Sequence, residues 1–429
     1  MTESEPVAIR AIAAGGDGVG TLPDGRTVFV PRSAPGDQVT LRKLRMHQRF
    51  ARGEVDRVVV SGPGRIDPPC PHYVGDQCGG CQLMHLHPAA QRAAKGRIVG
   101  DALRRIGRVD IADPEVVPAS ADLGYRAKVT LAVRDGVVGL HRRGEAGRIF
   151  ELRRCLLLEP EIDALHQQLR AARGRLPRDA SHVVLRRDAK GGRHVIVRTG
   201  GTAAWNGAAG LAAAIDPGVV VWWQPEGGAA RALAGSDDPW PAAVFEQVNP
   251  AVGAMVREHA VAELTRFETR DSRLESGSNG SLESRISNRE SRFLAWDLYA
   301  GIGEATAMLA AQGMRVQSIE LDPRAVALAE RLGPAGPQRH AGDVAGTLRR
   351  LDPPDLVLTN PPRTGMDEPV TRVLAESGAA RIVYVSCDPG TLARDLRRLE
   401  GRYRLAAVAA FDQFPQTAHV ECVATLERQ

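Results

Sequence analysis

Six cysteines are spread along 429 residues, and two groupings around them could do chemistry. The first is Tyr384-Val385-Ser386-Cys387-Asp388-Pro389-Gly390-Thr391. The β-branched and aromatic run Ile382 to Val385 predicts a buried strand. Asp388 then reads as a helix N-cap, with Pro389 at the first helical position. Cys387 would thus lie where a strand gives way to a helix. The positive helix end should lower its pKa and favour the thiolate, the form that attacks electrophiles. Taken alone, the residue reads better as a small core cysteine. Two further stretches reverse that reading: a glycine loop at 297–306 and a carboxylate at Glu421.

Phe293 to Tyr299 predicts a strand, Ala300-Gly301-Ile302-Gly303-Glu304 a tight turn, and Ala305 to Ala311 the start of a helix. Such a turn lets a ligand approach the backbone at the carboxyl edge of a sheet. The next strand, Val316 to Glu320, ends in an acid 19 residues after Gly301, placed to take ribose hydroxyls. Thr306 occupies the third glycine position of the dinucleotide fingerprint. With no pyrophosphate to cradle, S-adenosylmethionine fits this loop better than NAD. In His340-Ala341-Gly342-Asp343 a polar residue could meet an adenine edge. Leu356 to Thr359 predicts a fourth strand, followed by the rigid turn Asn360-Pro361-Pro362-Arg363.

A thiolate is unnecessary for methylating an amine. It is useful at a pyrimidine C5, which is barely nucleophilic until something adds at C6. The stretch Phe411 to Cys422 supplies Glu421, which could remove the C5 proton after methyl transfer and let the cysteine leave.

The second grouping is Cys70-Pro71-His72-Tyr73-Val74-Gly75-Asp76-Gln77-Cys78-Gly79-Gly80-Cys81, three cysteines in twelve residues with two glycines bending the backbone. This spacing predicts a metal site. Cys155 is the plausible fourth ligand. Four thiolates suit zinc or an iron–sulfur cluster, and spacing alone does not choose between them. His72 and His85 are expected at the surface or behind the ligands.

These groups need elements to position them. At 429 residues, two or three domains are expected. The chain is 43% hydrophobic and 25% charged, a soluble composition. No apolar run reaches bilayer length, and the opening Met1-Thr2-Glu3-Ser4-Glu5 is acidic, unlike a signal peptide. A cytoplasmic, membrane-free monomer is therefore expected, with cysteines serving metal or catalysis and not disulfides. The net charge of +5 permits a nucleic-acid partner.

Residues 6–60 predict a small barrel of about five short strands, with Arg42, Lys43, Arg45, Arg49 and Arg52 following the fourth as a phosphate-tracking strip. Pro88 to about Arg108 predicts a basic helix, and the segment 88–117 could pack on the catalytic domain. Residues 125–200 read as antiparallel β. A helix is predicted from Ala251 to about Phe267, capped by Asn249. The stretch 268–291, rich in Ser, Arg, Glu and Asn, predicts a disordered insertion.

The chain resembles the bacterial RNA 5-methyluridine methyltransferases, most closely the 23S ribosomal RNA (uracil-5-)-methyltransferases that carry an N-terminal TRAM domain. The likeness rests on Cys78-Gly79-Gly80-Cys81 with Leu83 and His85, on Ser386-Cys387-Asp388-Pro389, and on His419-Val420-Glu421. It implies three domains. Residues 1–60 would be the TRAM barrel, residues 61–240 a β-rich domain with the cluster, and residues 241–429 a class I, Rossmann-like α/β methyltransferase domain. It further implies that Cys70, Cys78, Cys81 and Cys155 hold a [4Fe–4S] cluster. Gln247, Tyr299, Glu304, Glu320 and Asp343 fall on positions contacting S-adenosylmethionine, Cys387 on the nucleophile and Glu421 on the base. Asn360 stands where the family commonly has Asp, so it binds as an amide if it binds at all. Seven residues separate Cys70 from Cys78, where the family usually has five.

The expected activity is C5-methylation of a uridine in RNA, in 23S ribosomal RNA ahead of transfer RNA. A radical S-adenosylmethionine enzyme would leave one iron open, without a fourth cysteine. An amino-methyltransferase or a non-catalytic RNA-binding protein would tolerate loss of Cys387.

Overall fold

A computed structural model describes residues 5–203, 205–216, 218–236, 244–266 and 293–429. The predicted insertion at 268–291 lies outside the described residues. The chain gathers into two compact units, each discontinuous in sequence. The first draws on Met1–Lys95, Pro118–Ala251 and Gln413–His419; the second on Gly96–Val117, Val252–Asp412 and Val420–Gln429. The sequence suggested three consecutive segments, whereas the barrel and the seven-stranded sheet described next share one unit.

In the first unit, β1 (Val7–Ile12), β2 (Asp17–Thr21), β3 (Thr27–Pro31), β4 (Gln38–Met46) and β5 (Phe50–Val60) close a barrel in the order β1-β2-β3-β5-β4. Val7, Ile9, Val28, Val30, Val39 and Ala51 fill it, as strict alternation along short strands requires. The basic residues do not follow the fourth strand. Arg42, Lys43 and Arg45 lie on β4, Arg49 in the turn and Arg52 on β5, because both strands run on past the barrel core. A register shift between Arg42 and Arg45, with Lys43 at φ 51°, bends β4 there.

β6 (Val116–Val117) belongs to the second unit. The rest of the first unit holds β7 (Lys128–Arg134), β8 (Val137–Arg142), β9 (Glu145–Glu151), β10 (Ala180–Arg187), β11 (Arg193–Thr199), β12 (Val219–Gln224) and β13 (Arg231–Ala234). They form one sheet ordered β13-β12-β11-β10-β7-β8-β9. Between residues 125 and 200 the strands pair antiparallel as expected, and β12 beyond that range joins β11 in parallel, but a helix at Pro160–Ala172 interrupts the strands. Pro160 at its first position and Glu161 and Asp163 in its first turn are ordinary start signals. Its Ile162, Leu165, Leu169 and Ala172 enter the core of this unit.

The second unit is an α/β sheet of β14 (Leu294–Leu298), β15 (Arg315–Glu320), β16 (Gln338–Ala341), β17 (Leu356–Thr359), β18 (Arg381–Ser386), β19 (Tyr403–Phe411) and β20 (Glu421–Arg428), with β6 at one edge. The order is β16-β15-β14-β17-β18-β20-β19-β6. β14 to β18 are parallel, and β20 runs antiparallel between β18 and β19. Successive strands step one way from β14 through β15 to β16, and then the other way from β17. Such a reversal opens a crevice at the carboxyl ends of β14 and β17, where doubly wound sheets bind ligands.

Candidate active site

The cofactor crevice is built from the ends of four strands. After β14, Tyr299, Gly301 and Gly303 have φ of 61°, 57° and 77°, turning the chain sharply into the helix Glu304–Ala311. A Cβ added at Gly301 would meet no atom within 4 Å. Open space above bare backbone at a switch point is the setting that a nucleoside ligand needs. Glu320, at the end of β15, takes the Gly301 N–H on Oε2 and the Asp322 N–H on Oε1, each at 2.9 Å. The acid at the tip of β15 is thus fixed against the turn. Asp343 follows β16 and caps the short helix Val344–Thr347 by accepting from the Gly346 N–H at 2.9 Å. The Asn360 N–H donates to the Leu298 carbonyl at 3.1 Å, tying the ends of β17 and β14 together, while its side chain is exposed.

Two expected cofactor residues have other partners. Glu304 is exposed and pairs with Arg257 at 2.9 Å. Gln247 belongs to the first unit, where its Oε1 accepts from Gln413 Nε2 at 3.2 Å.

Thr306 stands in place of the third glycine. Its hydroxyl donates to Asp297 Oδ2 at 2.6 Å. Asp297 is buried within β14, and burial pushes its carboxyl up to about 6 against the opposing Thr306 hydrogen bond. Sequence reasoning missed Asp297; the signal was an acid in an otherwise apolar strand directly before the turn.

Cys387 and Glu421 come together where β18 ends and β20 begins. Asp388 caps the helix Pro389–Leu399, taking the Thr391 N–H on Oδ1 at 2.9 Å, with Pro389 at the start as predicted. Ser386 pairs with Cys422 in the antiparallel ladder. Cys387 follows Ser386 and Glu421 precedes Cys422, so both flank that last pair. The expected low thiol pKa is not what this environment produces. Burial raises it, and the Glu421 carboxylate raises it again. The counterweight is Arg363, whose positive guanidinium favours the charged thiolate. Glu421 is 4% exposed, and burial lifts its carboxyl to about 7, with Arg363 pulling the other way. Arg363 therefore acts on both reacting groups. The sequence marked it only by its place after two prolines.

In the first unit, Cys70, Cys78, Cys81 and Cys155 act on one another electrostatically. Burial raises the Cys78, Cys81 and Cys155 thiols, and the neighbouring cysteines raise them further. Among the described residues no group of three or more His, Cys, Asp or Glu side chains is arranged to hold a metal ion. The surroundings nevertheless suit an anionic metal–thiolate centre. The Gly80 N–H donates to Cys78 Sγ at 3.4 Å, and the Leu157 N–H reaches Cys155. Arg32 and Arg126 are electrostatic neighbours of these sulfurs, and each has a buried Nε without an acceptor. His72 and His85 are not at the surface. Both are 1% exposed: His72 bonds Asp76 at 2.6 Å and accepts the Arg153 N–H, while His85 bonds the Tyr73 hydroxyl at 2.7 Å.

A reversing parallel sheet with a glycine turn at its switch point defines a class I, Rossmann-like methyltransferase fold. A family model described as tRNA (Uracil-5-)-methyltransferase matches residues 353–429. A 23S rRNA (uracil(1939)-C(5))-methyltransferase RlmD of Thiobacillus denitrificans is 34% identical, over 96% of this chain and 97% of that one. The RlmD of Chromohalobacter salexigens is 32% identical over 99% and 90%. An uncharacterized RNA methyltransferase of Gloeobacter violaceus is 33% identical over 98% and 96%. The crystal structure of Pyrococcus abyssi tRNA (uracil-54, C5)-methyltransferase in complex with S-adenosyl-L-homocysteine superposes with a TM-score of 0.70. At 21% identity, over 99% of this chain and all of that one, it shows the shared fold. The chain belongs to the RNA (uracil-5-)-methyltransferase family.

Proposed function

We propose that this enzyme methylates C5 of a specific uridine in 23S ribosomal RNA, through a temporary bond between Cys387 and uracil C6. The observation that carries the reading is the trio Cys387, Arg363 and Glu421, gathered where β18 ends and β20 begins. S-adenosylmethionine, when bound, supplies the electrophilic methyl group. Tyr299, Gly301, Gly303, Glu320, Asp343 and Asn360 are its binding residues in the second unit. Glu304 and Gln247 join the set by family position. Cys387 adds to C6 as thiolate, and the electron pair of the C5=C6 bond becomes available at C5 for the methyl. Glu421 then takes the C5 proton; those electrons restore the double bond and expel the thiolate. A base with a pKa near 7 suits this proton transfer at neutral pH. The uridine must leave its stack to expose C6.

Two supporting parts complete the reading. The barrel of residues 1–60 is a TRAM-type RNA-binding module. Its Phe29–Phe50 edge contact and His47–Phe50 stack lie among the basic residues of β4 and β5, an arrangement suited to bases and phosphates. Cys70, Cys78, Cys81 and Cys155 would hold a [4Fe–4S] cluster with a structural or RNA-positioning task, because methyl transfer moves no net electrons. Anaerobic purification should give iron and acid-labile sulfide in a four-to-four ratio. Zinc in their place would overturn the cluster assignment.

The decisive experiment is on the base. Glu421→Gln, incubated with ribosomal RNA and S-adenosylmethionine, should accumulate a denaturation-resistant protein–RNA adduct, and Cys387→Ala should form none. Absence of the adduct in Glu421→Gln would count against the base. Mapping 5-methyluridine in a strain lacking the gene separates ribosomal from transfer RNA as target.

A further inference from the structure

Something must keep an exposed arginine on a half-buried thiol. Arg363 is on a loop after β17, whereas Cys387 precedes the helix Pro389–Leu399. That helix carries a side chain with no part in the chemistry above. Asp395 is fully buried. Its Oδ2 accepts from the Tyr384 hydroxyl at 2.9 Å and from the Met366 N–H at 2.8 Å. Its Oδ1 accepts from Arg394 Nε at 2.9 Å and Arg398 Nη1 at 3.2 Å. Both arginines bond the same loop: Arg394 Nη2 donates to the Thr364 carbonyl at 2.8 Å, and Arg398 Nη1 to the Met366 carbonyl at 3.0 Å. Between them Gly365 has φ 75°, and a Cβ there would fall 2.5 Å from both Arg394 Nη2 and Asp395 Oδ2. The loop is fastened to the helix at Thr364 and Met366, with Gly365 pressed against the same side chains, and Arg363 is the next residue back.

We propose that Asp395 is a positioning residue for Arg363, fixing the Thr364–Met366 loop so that the guanidinium stays on the Cys387 thiol. The nucleophile is one residue before the helix cap, and the post that holds its cation is two turns along that helix. One rigid element therefore carries both frames of reference. A buried carboxylate with four donors costs much to remove, and such a group is retained where it fixes a geometry that hydrophobic packing cannot specify. The inference deepens the methyltransferase reading and rests on Cys387 as nucleophile.

The test needs neither RNA nor S-adenosylmethionine, so its failure is distinct from failure of that reading. The full-length protein is treated with iodoacetamide across pH 6–10, and Cys387 modification is followed by peptide mass spectrometry. The groups acting on that thiol are Arg363, Glu421 and Asp388; those on Asp395 are Tyr384, Arg394 and Arg398. Alkylation follows the thiolate fraction, so Asp395→Asn should shift the profile to higher pH and slow the reaction at pH 7.5 by about five-fold or more. Arg363→Gln should do the same, and the double variant should be no slower than Arg363→Gln alone. If Asp395→Asn does not fold, Tyr384→Phe removes one bond to the post and should give a smaller shift in the same direction. A profile for the folded variant coincident with the parent, or multiplying losses in the double variant, would overturn the proposal.

Discussion

At the scale of single residues, Glu421 shows what burying a base does to the fold. Its pKa rises from 4.5 to about 7 in the folded chain. The native state therefore holds a proton that the unfolded chain releases between those values. The contribution of this carboxyl to stability is full below about pH 4.5, falls as pH climbs to about 7, and is flat beyond. A shift of this size corresponds to a loss on the order of 3 kcal/mol. Glu421→Gln, neutral and of similar shape, should escape that loss. It should melt several degrees above the parent at pH 8.5 and close to it at pH 5, by calorimetry. Equal melting temperatures at pH 8.5 would show that the carboxylate is solvated. Methyl transfer by the parent enzyme should in turn rise with pH through about 7 as the base ionises.

At the scale of elements, the turn after β14 is spanned by a bond from the following helix back to the strand. Thr306→Val removes the hydroxyl that Asp297 Oδ2 accepts and leaves a buried carboxylate short of a partner, at a cost of about 1–3 kcal/mol. S-adenosylhomocysteine should then raise the melting temperature less than it does in the parent. An unchanged ligand shift would separate this bond from cofactor binding.

The elements carrying the site were legible in the sequence because local rules specify them. A cap and a proline mark the helix after Cys387, and β-branched runs mark β17 and β18. The glycine turn and its partner acid at Glu320 were read the same way. The thiol pKa was misread because the helix end is local, while the burial that raises it and the Glu421 carboxylate that adds to it come from tertiary packing. Arg363, Asp297 and Asp395 went unread for the same reason, since their partners are spatial. The helix at Pro160–Ala172 had its start signals but was overshadowed by strands on both sides.

At the scale of the whole molecule, RNA recognition is assigned to the basic face of the barrel. Lys43 and Arg42 share Glu54 at 3.1 and 3.5 Å. Both cations are exposed and the acid is partly so, hence these pairs add little stability and can be traded for phosphates. Replacing Arg42, Lys43 and Arg45 together by Ala should weaken binding to ribosomal RNA fragments evenly across sequences. The slope of log affinity against log salt should fall by about 0.7 for each phosphate of single-stranded RNA that the variant no longer neutralises. A slope that does not change would place the RNA elsewhere. Among the described residues no helix is long and apolar enough to cross a membrane.

The strand order has a consequence for how the enzyme is made. β20 is synthesised after β19 yet lies between it and β18. Until β20 emerges, β18 must wait with one flank of backbone unsatisfied and its valines and tyrosine without cover on that side. A nascent chain paused there presents a sticky ribbon of the sort chaperones shield. Because β20 begins with Glu421, the insertion that seals this ribbon is also what brings the buried carboxylate to the end of β18.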